Sequence, residues 1–326
     1  MKKILRYLIF FLIAAGFIYL ATKKIDPQKL WDDIKQADLR WVGLAIVAGM
    51  ISNLSRSARW LIIAEPLGYK PKFSNSYHGV MISYLVNFLI PRGGELARAS
   101  VVSKVEKIPI ATMIGSVVAE RVTDLLCMLV VLLVAFGVQY DTLMAFIESS
   151  SKDSAEDSGF PWIKLILAVM AVGGIVFLLI RKKLNHIKLF KRINDLFDGF
   201  VEGVKGLTRI KRPIPFIIHS VVIWVMYYLM VYFCFFSIPA TSHLGFSAGL
   251  TVLVTSTLAI IIPAPGGTGT FQYFVPIALT LYGVTEDGGG TSYAFIAHGS
   301  QMIMFITFGL ISMIYMILAQ RKALTE

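Results

Sequence analysis

Apolar blocks separated by short polar stretches run the length of the chain, at 4–22, 39–64, 74–90, 110–138, 161–180, 213–237, 243–262, 270–283 and 291–319. A helix needs roughly 20 mostly apolar residues to cross a bilayer, and several blocks reach that length. The pattern predicts an all-α integral membrane protein, one polytopic domain over 1–326. No stretch between the blocks is long enough for a sizeable soluble domain; the largest polar one runs from 181 to 212. The opening MKKILRYLIFFLIAAGFIYLAT begins like a secretory signal. Its apolar run is long and lacks a clear small-x-small cleavage site, so we read it as a retained first span.

Charge between the blocks decides how many of them cross. Segment 181–212 is crowded with Lys and Arg against only Asp195, Asp198 and Glu202, which predicts a cytoplasmic location. Loop 139–160 carries Asp141, Glu148, Asp153, Glu156 and Asp157 against Lys152, and fits the outer side. Lys2, Lys3 and Arg6 keep the N-terminus inside, and Arg321 and Lys322 do the same for the C-terminus. Glu286 and Asp287 belong outside. With these anchors, 74–104 starts and ends inside, while 243–283 starts and ends outside. One crossing cannot do that; a re-entrant hairpin can.

The turns would fall at PRGG (Pro91 to Gly94) and IIPAPGGTGT (Ile261 to Thr270). Pro stops a helix and Gly reaches backbone angles closed to other residues. Irregular backbone at membrane depth is tolerated only inside protein or along a water-filled cavity. Two Pro/Gly-broken segments in corresponding halves point to an inverted-repeat transporter with a central site. The expected architecture is about six transmembrane helices plus two opposed re-entrant hairpins. The N-terminal half, 1–140, holds the hairpin at 74–105, and the C-terminal half, 160–320, holds the one at 243–283. The simpler alternative is ordinary short loops between full spans. Within the basic segment, IKLFKRINDLFDGFVEGVKGL has apolar residues at helical spacing. It predicts a cytoplasmic amphipathic helix, lying either on the inner leaflet or against the protein itself.

Composition agrees. The chain is 56% hydrophobic and 16% charged, with a mean hydropathy of +0.71, whereas soluble domains sit near ~45–50% and ~25%. The net charge of +11 would suggest nucleic acid in a soluble protein. Here the cytoplasmic loops account for it, and no nucleic-acid partner is expected. Cys127 and Cys234 lie in apolar blocks and read as small buried hydrophobes. No Cys/His spacing suggests a metal, and no cofactor is expected.

Charges inside the blocks carry the candidate chemistry. VVAERVTDLL places Glu120 about 15 Å into its block, near the middle of a ~30 Å core. Glu120 and Asp124 share a face at i, i+4, and Arg121 reaches Asp124 at i, i+3. Such charges cost a few kcal/mol or more unless paired or wetted. They mark either a polar substrate path or a salt-bridge cluster pinning this helix to the first hairpin, and the two are compatible.

Arg92, Glu95 and Arg98 line one face of a helix after PRGG. The planar donor fork of Arg and the helix N-terminus beside Gly93 and Gly94 both suit a phosphate. Alternatively these residues neutralise Glu120 and Asp124, with Arg98 close enough to the surface to snorkel. Arg56 and Arg59 follow Asn53 at three-residue spacing. We expect Arg59 to snorkel at the inner interface and Arg56 to join the cavity.

PAPGGTGTFQ lacks the Gly-Lys-Ser/Thr and βαβ context of a nucleotide loop, so nucleotide binding is excluded. Its Gly266, Gly267 and Gly269 shape the turn, and Thr268, Thr270 and Gln272 offer hydrogen bonds. His298 and His78 read as satisfied packing residues in preference to proton carriers.

IPRGGELARAS, VVAERVTDLL and IIPAPGGTGTFQ, in that order, resemble the membrane part of the lysylphosphatidylglycerol synthase/flippase family. Pro91, Gly94, Glu95 and Arg98 match its first motif. Glu120, Arg121 and Asp124 match the second, and Pro263, Pro265, Gly266, Gly267 and Gly269 the third. The resemblance covers essentially the whole chain. It implies a flippase-like scaffold that moves a phospholipid headgroup between leaflets. Two departures stand out. The full synthase carries a soluble catalytic domain after the membrane part, whereas this sequence ends at Glu326, so aminoacyl transfer is not expected. Many relatives also place an acidic residue where this chain has Gln272, which bears on substrate charge and proton coupling.

The function expected is translocation of a phosphate-bearing lipid, a phospholipid or polyprenyl-phosphate type, across the cell (inner) membrane, with both termini cytoplasmic. Its central site would hold Arg92, Glu95, Arg98, Glu120, Arg121 and Asp124, with Arg56 and the Gly266–Gln272 turn contributing. A headgroup-sized cavity would join the hairpin tips. The rivals are a membrane-embedded lipid-phosphate enzyme using Glu120 or Asp124 as base, and a non-transporting partner of a lipid-modifying enzyme.

Overall fold

The computed structural model describes residues 2–23, 25–140, 191, 194 and 205–325, and among these it is all-helical. The predicted span 161–180 and nearly all of the predicted amphipathic helix lie outside the described residues, as does most of the acidic loop. The chain divides into two compact units, Met1–Ala135 with Arg209–Glu326, and Phe136–Thr208. The helices below belong to the first, apart from the C-terminal end of α6.

In order they are α1 (Lys2–Thr22), α2 (Pro27–Gln36), α3 (Leu39–Ala64), α4 (Phe73–Leu89), α5 (Gly94–Glu106), α6 (Ile110–Val138), α7 (Pro213–Phe235), α8 (Phe246–Ala259), α9 (Thr270–Leu279) and α10 (Thr291–Thr325). The apolar blocks anticipate eight of these closely, and α5 is the helix expected after PRGG. The short α2 is additional; Asp26 caps it by accepting from the Gln28 N–H, and Pro27 occupies its first position. Among the described residues three helices are long and apolar enough to cross a membrane: Ile110–Val138, Pro213–Phe235 and Thr291–Arg321. The pair Leu8–Thr22 and Pro27–Gln36, bent by 91°, is apolar enough to count as a fourth where the two are taken as one broken span. α3 has the length, at 26 residues, but carries Arg40, Arg56 and Arg59. The molecule is a multi-pass membrane protein.

α3 and α7 run antiparallel. At one end the Asp38 N–H donates to the Ser237 carbonyl, and at the other Arg212 pairs with Glu65 at 2.8 Å. Ala45, Ala48 and Gly49 let neighbours close in: a Cβ on Gly49 would meet the Met304 sulfur at 2.9 Å and that of Met230 at 3.0 Å. Asp38 caps α3 through the Arg40 N–H, and its side-chain hydrogen bond with Arg40 holds the carboxyl below the usual carboxylate range. The resulting stabilisation is complete above the ordinary value of about 3.9 and is lost as pH falls through the lowered folded-state value. Asp38→Asn, which keeps the cap acceptor, should flatten the acid limb of the unfolding curve; an unchanged acid limb would show that the ion pair contributes nothing.

α4 and α5 form a tight antiparallel hairpin. Gly79 sits under Arg98 and Val102, and a Cβ on Gly94 would collide with the Ser83 carbonyl oxygen. Asn87 Oδ1 accepts from the Gly94 N–H at 2.9 Å, and Glu106 closes the base by accepting from Lys72 N and Asn75 Nδ2. Ser76 donates to the Ser57 carbonyl, so both ends of this hairpin lie toward the C-terminal end of α3.

α8 and α9 form the second hairpin. Its base lies at the opposite end, where Gly290 packs on Pro276, Gly289 on Ala240, and Ser292 donates to Asp33. The tips meet: Arg92 Nη2 donates to the Ile261 carbonyl at 3.1 Å, and Gly266 (φ 58°) lies against the Phe88 ring with no room for a Cβ. α1 crosses this turn, with Phe17 beside Tyr273 and Phe274.

Candidate functional site

Three helices bring their charges to one place. The C-terminal half of α3 presents Ser52, Asn53, Arg56 and Arg59 inward, and all four are buried. α5 contributes Glu95 and Arg98 at i, i+3, and α6 contributes Glu120, Arg121 and Asp124.

Glu120 is 0% exposed and is the hub. Its Oε1 accepts from Arg56 Nε at 2.6 Å and Arg121 Nη2 at 3.1 Å, and its Oε2 from Arg98 Nη2 at 2.7 Å. Asp124 pairs with Arg59, with Arg121 at 3.4 Å and with Arg56 at 3.9 Å. Arg121 Nη1 lies 3.9 Å from Glu95 Oε1. Four arginines thus face three carboxylates, leaving one positive charge in excess.

Neutral groups finish the cluster. Arg56 Nη1 donates to the Tyr84 hydroxyl at 2.5 Å, which lies 3.2 Å from that of Tyr227. Arg59 Nη1 donates to Ser220 Oγ. The Arg98 guanidinium stacks 4.3 Å over the Trp60 ring, whose N–H donates to Ser116. Charged hydrogen bonds of this kind are the strong ones, and water exclusion strengthens them further.

The central site expected from the sequence held Arg92, Glu95, Arg98, Glu120, Arg121 and Asp124 with Arg56, and the fold brings together all of these but Arg92. Two further expectations need correcting. Arg59 and Arg98 do not snorkel: they are 0% and 1% exposed, because Asp124 and Glu120 hold them inside. The i, i+3 spacing of Arg59 from Arg56 was the signal that it shares the same face. Tyr84, Tyr227 and Trp60 carried no signal, since each sits in an apolar block.

Arg92 stands apart from the cluster, exposed on the turn and bonded to Ile261. Gly266, Gly267, Gly269 and Gln272 form the opposing turn. There Gln272 Oε1 accepts from the Gly269 N–H at 2.8 Å, and its amide donates to His298 Nδ1 at 3.0 Å. His298 Nε2 in turn donates to the Gly266 carbonyl at 3.0 Å. Gln272 and His298 therefore stitch the turn shut, and each has a partner for its donor and acceptor.

Apolar helices packed around a buried cluster of arginines and carboxylates define a multi-pass membrane protein with an ionic core. The chain belongs to the lysylphosphatidylglycerol synthase transmembrane-region family, whose model matches residues 5–309. It is similar to the UPF0104 membrane protein MJ1595 of Methanocaldococcus jannaschii, 32% identical over 125 residues, which are 37% of each chain. Glycosyltransferase AglD of Haloferax volcanii is 34% identical over 108 residues, 33% of this chain and 17% of that protein. The UPF0104 membrane protein MJ1078 of Methanocaldococcus jannaschii is 24% identical over 204 residues, 62% of this chain and 82% of that protein. The matched parts cover 37% and 17% of the first two relatives' lengths.

Proposed function

We propose that this protein moves a phosphate-bearing lipid across the inner membrane, by alternating exposure of the ionic cluster to the two leaflets. One observation carries the reading: a net-positive cluster opens at an edge near mid-helix. Arg121 is 41% exposed, about 17 Å along α6 at 1.5 Å per residue. A guanidinium at that depth needs water or an anion, and a lipid phosphate supplies the charge the cluster lacks.

In this reading the chain makes six crossings with both termini in the cytoplasm, and the two hairpins are re-entrant from opposite leaflets. Their bases at opposite ends of α3, and their meeting tips, support this. The engagement of Glu120 and of Asp124 by three guanidinium groups each weighs against the enzymatic alternative, because a carboxylate so held is a poor base. A second reading takes its support from the glycosyltransferase relative: the cargo is a lipid-linked sugar, or the chain partners the enzyme that makes one.

Purified protein in vesicles should accelerate exchange of a labelled phospholipid or polyprenyl-phosphate lipid between leaflets; no acceleration for either class defeats the proposal. Arg92→Gly refines it. The left-handed φ of 62° at Arg92 suits Gly, so stability should hold or rise. Losing the tie to Ile261 should speed flipping by up to about tenfold, if the tips must part in each cycle. Slower flipping would instead put Arg92 in substrate handling.

A further inference from the structure

The arginines of the cluster are of two kinds. Arg56 and Arg59 form the frame: Arg56 reaches Glu120, Asp124 and Tyr84, and Arg59 holds Asp124 and Ser220, leaving only its Nε without a partner. Arg98 gives Nη2 to Glu120, but its Nε and Nη1 are buried without a partner. Arg121 has an unpartnered Nε as Arg59 does, but it is 41% exposed where Arg59 is fully enclosed. Trp60 covers one face of the Arg98 guanidinium, whose Nε–Nη1 edge is enclosed and unpartnered.

Beside these unmet donors lies an unmet carboxylate acceptor. Glu95 Oε2 is buried without a partner, while its other oxygen touches only Arg121, at 3.9 Å. A carboxylate oxygen in a net-positive cluster should find a donor; here the frame turns its donors elsewhere. The demands of the site are therefore twofold: an anion for the edges of Arg98 and Arg121, and an N–H or O–H for Glu95. Glu95 and Arg98 share one face of α5 at i, i+3, and Glu95, Arg121, Glu120 and Arg98 form a continuous chain of contacts, so one ligand can meet both.

We propose that Glu95 is a specificity-determining residue: it reads a hydrogen-bond donor on the group esterified to a lipid phosphodiester whose phosphate rests on the free edges of Arg98 and Arg121. This rests on the lipid-phosphate reading of the site. The donor is a hydroxyl, as in a glycerol headgroup, or an ammonium, as in ethanolamine. A choline headgroup carries the same phosphodiester and has neither.

The test is native mass spectrometry of the full chain in mixed micelles containing equal phosphatidylglycerol, phosphatidylethanolamine and phosphatidylcholine of identical acyl chains. Wild type should retain phosphatidylglycerol, phosphatidylethanolamine or both over phosphatidylcholine by about tenfold, the size of one charge-assisted hydrogen bond. Which of the two is retained more identifies the donor. Glu95→Met, of similar length, should abolish the preference while phosphodiester lipids still bind, and Glu95→Gln should reduce it. Gel filtration of both variants checks the fold, and the Gln variant serves if the Met variant is not monodisperse. Equal retention of all three lipids by wild type, or a preference that survives in both variants, overturns the role of Glu95 and leaves the lipid-phosphate reading standing. Retention of none of the three overturns the role of Glu95, and, if no polyprenyl-phosphate lipid is retained either, the lipid-phosphate reading with it.

Discussion

Glu120→Gln is expected to cost about 3–5 kcal/mol of stability, the usual penalty for breaking a buried ion pair from one side. The substitution keeps volume and one acceptor oxygen, so the loss reports charge and not packing. Arg56 and Arg98 would stay buried with no carboxylate between them, and the excess positive charge of the cluster would double. Unfolding by a denaturing detergent, followed by helical circular dichroism, measures it. Lipid movement should fall to background as well. The double variant Glu120→Gln with Arg98→Gln should recover part of the stability by restoring the balance, and the cycle gives the coupling. A single variant within about 1 kcal/mol of wild type would mean that water already solvates the cluster.

Gly94→Ala is expected to destabilise by about 1–3 kcal/mol or more, as overpacking does. The new methyl would collide with the Ser83 carbonyl oxygen and lie 2.8 Å from the Asn87 amide. Ser83 belongs to the backbone of α4, so no rotamer change relieves the clash. The hairpin must splay, and the Asn87 bond to the Gly94 N–H goes with it. Glu95 and Arg98 follow on the next turn, so the cluster loses its register. Gly115→Ala on α6 is the control: nothing lies within 4 Å of the added Cβ, and stability should hold or rise. Thermal unfolding of the two variants separates them, and equal midpoints would show that the hairpin is looser than its contacts imply.

Much of this was legible before any coordinates. Apolar blocks located eight of the ten helices in the described residues, because a membrane helix satisfies its own backbone and needs only a long run of apolar side chains. α2 was missed because it is short and polar, with no buried residue. Glu120, Arg121 and Asp124 announced themselves, since ionised groups inside an apolar block are too costly to be incidental.

Depth along one helix, by contrast, says nothing about who stands opposite. Arg59 looked like an interfacial residue when judged by its own helix. It is fully enclosed because Asp124, 65 residues away, meets it. Gln272 looked like a ligand for substrate until His298, 26 residues on, claimed its amide.

The amino-acid sequence alone determined where helices run and which side chains could not tolerate lipid, because both follow from local hydropathy and local charge. The crossing of α3, α5 and α6 decided which charges neutralise one another and which edges stay open. Those are distances of a few ångströms between residues far apart in the chain, and only packed helices set them.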